Sequence, residues 1–235
     1  MSYQNLLYSV DDRVATITLN RPERHNALSA ALVDEIMAAM TQADRDPEVR
    51  IVILAGAGGK AFSSGYDIKE SAEKPKRTVA DWRVRMQKDI QFTYSVWDCS
   101  KPVIAMIDGF CLAGALELAM CCDMRYCSDV STFAALEARF SNGIATLIMP
   151  WLIGRRSRAL IYSGDTITAD EAFRLGLVDK TFPKSSPAGG GDQDRKADVA
   201  RLAGMPADEQ EGAQQQLRDH GAAARRSPTA PKSAR

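Results

Sequence analysis

The stretch from Lys101 to Asp123, KPVIAMIDGFCLAGALELAMCCD, sets a carboxylate one helical turn from a backbone donor. An apolar strand, Pro102 to Ile107, runs into the small residues Ala113, Gly114 and Ala115, which open a helix carrying Glu117. A backbone N–H at a helix N-terminus stabilises developing negative charge. Glu117 stands three residues after Gly114, so its carboxylate lies beside whatever that N–H holds. With Glu137 as a second carboxylate, these are the parts needed to stabilise an oxyanion and move a proton next to it.

Each of these residues also has a plain structural reading. Glu normally sits on a solvated helix face, but Leu116, Leu118, Ala119 and Met120 surround Glu117 and argue for a buried helix. Glu137, in LEARF, reads naturally as a surface residue and gains interest from its position relative to Glu117. Gly114 serves close packing and oxyanion binding equally well. The only histidines are His25 and His220, and no G-x-S-x-G elbow occurs, so a Ser-His-Asp triad lacks support. Gly56 to Ala61 imitates a G-x-G-x-x-A dinucleotide fingerprint, yet FSSGYDIKESAEKPK offers no amphipathic helix after it. The P-loop pattern also fails, with Leu54 at the first glycine position and Ala61 where Ser or Thr belongs. A nucleotide-binding module is therefore disfavoured.

The positioning elements follow from pattern. Arg13 to Leu19 reads as a strand, and Ser29 caps a helix in which Leu32, Ile36 and Met40 recur at four-residue spacing. Val49 to Leu54 reads as a strand buried on both faces. Residues 70–85 are charged without a clear apolar face and are expected to form an exposed, mobile segment. Short strands are expected at Met124 to Tyr126 and Thr132 to Phe133. Thr168 with Glu171 forms a capping box for a helix that Gly176 ends. Strands alternating with helices predict an α/β fold.

Composition bounds the function classes. The chain has 235 residues, with 30 Lys and Arg against 30 Asp and Glu. That balance gives no electrostatic case for nucleic acid or an anionic membrane as partner. No apolar run reaches the roughly 18–20 residues that span a bilayer, and the N-terminus lacks a secretory pattern. A cytoplasmic protein is expected. The five cysteines, Cys99, Cys111, Cys121, Cys122 and Cys127, read as small buried residues kept reduced, and their spacing matches no zinc site.

Several segments, in order, resemble the crotonase family of enoyl-CoA hydratases and isomerases: TLNRPERHNALS, VILAGAGGKAFSSGYDIKE, KPVIAMIDGFCLAGALELAMCCD, Glu137 and SGDTITADEAFRLGLVDKTFP. The resemblance spans about Tyr8 to Pro183. It implies a ββα spiral core over residues 1–183, with an acyl-CoA thioester as substrate. By the same resemblance the N–H groups of Tyr66 and Gly114 form the oxyanion hole, and Glu117 and Glu137 are the acid/base pair. Arg24, His25 and Ala27, with Gly65, Asp67, Ile68 and Lys69, line the CoA. No metal or separate cofactor is implied, because coenzyme A enters with the substrate; assembly as a homotrimer or hexamer is.

The sequence departs from the family pattern in three places. Tyr66 stands where hydratases commonly carry a small residue. SNGIATLIMPWLIG after Glu137 suggests a more crowded acyl pocket, built from Leu147, Ile148, Met149 and Trp151. Residues 184–235 form a polar, low-aliphatic tail in place of the family's C-terminal helices. Little of that tail can offset its ordering entropy, although a short helix near 195–219 is compatible with it. A shifted reading frame would produce so abrupt a change, and translating the coding DNA in its other frames tests that hypothesis. The expected activity is hydration of 2-enoyl-CoA or its reverse. Enoyl-CoA isomerisation is the rival reaction, and a catalytically impaired acyl-CoA-binding or scaffold protein is the rival of another class.

Overall fold

The computed structural model describes residues 2–73, 78–140, 148–184, 199, 201, 203 and 204. It begins with a hairpin, β1 (Leu6–Asp11) and β2 (Val14–Leu19), and a helix, α1 (Ala30–Arg45). A two-strand unit then repeats. β3 (Ile51–Gly56) and β4 (Ala61–Ser63) lead to α2 (Ile68–Ala72) and α3 (Val79–Trp97). β5 (Val103–Ile107) and β6 (Phe110–Leu112) lead to α4 (Gly114–Met120). β7 (Met124–Ser128) and β8 (Thr132–Ala134) lead to a 3-10 turn at Leu136–Phe140, then α5 (Met149–Ile153) and α6 (Ser157–Ser163). β9 (Ile167–Thr168), α7 (Ala169–Leu175) and β10 (Lys180–Phe182) follow.

Each repeat turns a corner, so its two strands enter different sheets. The larger sheet has the order β1-β2-β3-β5-β7-β10, parallel except for the first pair. The smaller has the order β4-β6-β8-β9, with its first three strands parallel. This is the α/β spiral that the resemblance implies. The corner between β5 and β6 needs glycine: Gly109 has φ +77°, and a Cβ there would collide with the Lys60 carbonyl.

Local sequence explains most elements. In β2 the alternate residues Ala15, Ile17 and Leu19 are fully buried, whereas β3 buries Ile51, Val52 and Leu54 as a strand covered on both faces. The Ser29 side chain accepts from the Leu32 N–H at 3.2 Å to start α1, whose Leu32, Ile36 and Met40 face the core. The Thr168 hydroxyl accepts from the Glu171 N–H at 3.3 Å, and Gly176 ends α7 at φ +76°. Cys99, Cys111, Cys121, Cys122 and Cys127 are all buried free thiols.

Three expectations change, and the tail shows part of the short helix that is compatible with it. Most of the segment expected to be mobile belongs to helices: α2 takes Ile68–Ala72 and α3 starts at Val79. Thr78 and Asp81 cap α3 reciprocally, and Asp89, Phe92, Thr93 and Val96 form its buried face. Residues 74–77 lie outside the described residues. The turn before α4 contains the further strand β6. Met149 is buried, but Trp151 is 73% exposed and so is no wall of a pocket; Leu147 lies outside the described residues. In the tail, Val199 and Ala203 are helical and pack on Ile51, Ile104, Tyr126 and Phe182. That contact adds a small second cluster on the large sheet; the rest of 185–235 lies outside the described residues.

Candidate active site

Three parallel strands of the smaller sheet end side by side, and each delivers a site residue just beyond its C-terminal end. Tyr66 follows β4, Gly114 and Glu117 follow β6, and Glu137 follows β8. Leu112 pairs with Ala134, and the Ala113 N–H donates to the Ala134 carbonyl at 2.9 Å. This pairing carries two glutamates twenty residues apart in sequence to neighbouring strand ends.

The two donors arise from loop geometry. The Leu28 N–H donates to the Gly65 carbonyl at 2.9 Å, and the Asp67 N–H donates to the Leu28 carbonyl at 3.1 Å. This bridge turns the Tyr66 N–H away from Leu28. Gly114 is the first residue of α4, so its N–H has no acceptor within the helix. Among the described residues neither N–H has a hydrogen-bond partner. Gly65, at φ +88°, backs onto the second loop. A Cβ there would stand 2.8 Å from the Leu112 carbonyl oxygen and 3.3 Å from the Gly114 nitrogen. Ala113, with φ +51°, occupies a region that L residues avoid, at a cost of about 1–3 kcal/mol. Its carbonyl accepts from the Leu116 and Glu117 N–H groups, which fixes the first turn of α4.

Glu117 is 1% exposed and Glu137 8%. Among the described residues Glu117 Oε1 and both carboxylate oxygens of Glu137 lack a hydrogen-bond partner. Buried carboxylates without donors favour their protonated forms. Burial, then the Glu137 charge, then that of Asp89, pushes Glu117 up to about 8; burial also raises Glu137. The pair therefore resists double ionisation near neutral pH and can both accept and donate a proton.

The segments expected to line CoA do meet in space. Arg24 and Arg21 both donate to the Asp67 carboxylate, at 3.1 and 3.2 Å, and Arg21 also donates to the Ala27 carbonyl at 2.5 Å. Asp67 caps α2 by accepting from the Glu70 N–H at 3.2 Å. Burial pushes the Asp67 pKa up, but the Glu70 N–H and the two arginines outweigh it and hold it below the usual range. Asp67 is thus a buried tie rather than an open contact, while Ile68 and Lys69 face solvent. Ala27 and Gly65 are buried. His25, in the left-handed region at φ +49°, packs edge-on against Phe110 with ring centroids 6.2 Å apart. None of this makes His25 a catalytic base.

Sequence reasoning missed Arg85 and Asp89 of α3, which stand against Tyr66. Two signals were available: Thr78 with Asp81 as a cap, and opposite charges at i, i+4.

The family model for enoyl-CoA hydratase/isomerase matches residues 9–187. The chain belongs to the enoyl-CoA hydratase/isomerase family. It is 36% identical to a crotonyl-CoA hydratase of Syntrophomonas wolfei over 184 residues, 77% of this chain and 70% of that protein. It is 35% identical to the mitochondrial Delta(3,5)-Delta(2,4)-dienoyl-CoA isomerase of Rattus norvegicus, covering 74% of this chain and 57% of the relative. The crystal structure of an enoyl-CoA hydratase/isomerase from Xanthobacter autotrophicus Py2 superposes with a TM-score of 0.89 at 34% identity, over 95% of this chain and 82% of that one.

Proposed function

We propose that this protein hydrates 2-enoyl-CoA thioesters to 3-hydroxyacyl-CoA, using Glu117 and Glu137 as the acid/base pair and the N–H groups of Tyr66 and Gly114 as the oxyanion hole. Its family makes it an enoyl-CoA hydratase-like enzyme with an acyl-CoA substrate and crotonase-type chemistry. The observation that carries the hydration reading is the pair of buried glutamates, with three of their four oxygens unpartnered among the described residues, at the ends of adjacent strands.

Two N–H donors aimed at the thioester oxygen stabilise the charge that grows there as C3 is attacked; one such donor is worth about 3–4 kcal/mol at comparable sites. Glu117 takes a proton from water while its hydroxide equivalent bonds to C3. Glu137 delivers a proton to C2, so the double bond gains one water and the pair keeps one proton throughout. Isomerisation of a double bond needs only one such carboxylate, and a relative named for isomerisation makes that the second reading.

Loss of the conjugated enoyl-thioester absorbance of crotonyl-CoA tests the proposal. Glu137→Gln and Glu117→Gln are each expected to lower kcat by about 10²–10⁴-fold. Isomerisation that persists in Glu117→Gln while hydration is absent from the wild type overturns the hydratase reading in favour of the isomerase. Thioester binding without turnover of either kind points to an impaired acyl-CoA-binding protein.

A further inference from the structure

Helix α3 places an ion pair behind the oxyanion loop. Arg85 donates from Nε to both carboxylate oxygens of Asp89, at 3.0 Å each. Asp89 is 5% exposed, and after burial its charge is the largest influence raising the Tyr66 phenol pKa. The Arg85 guanidinium carbon lies 5.1 Å from the centroid of the Tyr66 ring. The same ring rests on Gly114, where an added Cβ would stand 2.6 and 2.7 Å from the ring's Cε2 and Cδ2. Tyr66 thus touches the second donor residue with its side chain while carrying the first donor on its backbone.

The ring also packs against the main core. A cavity of about 260 Å³ lies between α1 and α3, lined by Leu28, Val33, Val84, Arg85 and Asp89 among others. Leu28 is the residue bridged to Tyr66, so this cavity adjoins the loop. An apolar pair at 85 and 89 would hold α3 in place at least as well, because a largely buried ion pair loses much of its attraction to desolvation. What the ion pair adds is direction: Asp89 fixes the Arg85 guanidinium, which sets a cation over the ring face.

We propose that Arg85 and Asp89 are positioning residues of the oxyanion hole, pressing the Tyr66 ring onto Gly114 and so setting the spacing of the two backbone donors. The inference rests on the oxyanion-hole reading above but not on which reaction follows. Neither residue touches the reacting atoms. Both act on donor geometry, to which the reaction rate is steeply sensitive. The Asp89 charge in addition helps to raise the Glu117 pKa; the carbonyl stretch reads the first effect separately from the second.

The test reads the donors directly. The thioester carbonyl stretch of bound, isotope-labelled crotonyl-CoA is measured by infrared difference spectroscopy in the full-length protein, beside kcat, KM and thermal stability. The wild type is expected to shift the stretch to lower frequency. Arg85→Met and Asp89→Asn are expected to lose much of that shift and about 10- to 100-fold in kcat, with KM changed less than threefold. Arg85→Lys, which keeps the charge without the planar group, is expected to recover part of the shift. Folded variants that keep the full shift and kcat overturn the inference, as does a wild type that binds the thioester without any shift or fails to bind it. A wild type that shifts the stretch yet hydrates nothing sinks the hydratase reading and leaves the positioning role standing.

Discussion

Glu117, the proposed base of the reaction, also bears on stability. Its folded pKa, about 8, lies above the ordinary value of 4.5. Between those two values the native protein binds more protons than the unfolded chain, so stability falls as pH rises through that window. The proton's contribution is fully present below about 4.5 and gone above about 8. Glu117→Gln removes this slope. Thermal melts from about pH 5 to about pH 8 should show the variant gaining on the wild type by an amount on the order of a few kcal/mol. Parallel curves for the two proteins would mean that Glu117 ionises normally. The same substitution is expected to lower turnover, and a gain in stability at the expense of activity would be the signature of a site residue kept in a costly environment.

Two elements hold the Tyr66 loop: the tie at its C-terminal side and the helix behind it. Asp67 joins Arg21, Arg24 and the start of α2, so its removal leaves two arginines without their anion and a helix without its cap. Asp67→Ala should cost about 1–3 kcal/mol in chemical denaturation and reduce kcat as well, because the tie stands next to Tyr66, the proposed oxyanion donor. A variant with lowered stability and unchanged kcat would separate the tie from the site. The loss of the Asp67 contribution should also appear on acidification, since its depressed pKa makes its stabilisation present above the usual carboxylate value and lost as pH falls. The cap of α3 plays the corresponding part for Arg85 and Asp89, which sit in the second and third turns of that helix.

Over the whole molecule, one apolar core joins α1, α3 and α4 to both sheets, and the cysteines are spread through it. Burial raises the thiol pKa of Cys99 and Cys127 to about 12 and that of Cys111, Cys121 and Cys122 likewise upward. Buried and protonated thiols are poor nucleophiles. Ellman's reagent should therefore find none of the five reactive in the native protein and all five after denaturation, with a rate in mild urea that follows global unfolding. A fast-reacting fraction under native conditions would reveal local opening of the core near α4. Outside this core, Val199 and Ala203 pack on the large sheet, covering Tyr126 and Phe182. Among the described residues no helix is long and apolar enough to cross a membrane.

Patterns carried by neighbouring residues are legible in the amino-acid sequence alone. Alternation in Arg13 to Leu19, the Ser29 cap, the Gly176 stop and the apolar setting of Glu117 each depend on residues within a few positions, so the chain by itself determines them. The family resemblance also implies Glu117, Glu137, Tyr66 and Gly114 as a group. What brings them together is the parallel pairing of β4, β6 and β8, short strands whose two or three registered pairs no local pattern announces. The role of Asp67 is of the same kind: in sequence it is one acid in a loop expected to line CoA, and only the packed loops join it to Arg21 and Arg24. Arg85 and Asp89 are hidden for a further reason. Charged residues read as solvated until a tertiary neighbour, here the Tyr66 ring, gives them something to hold.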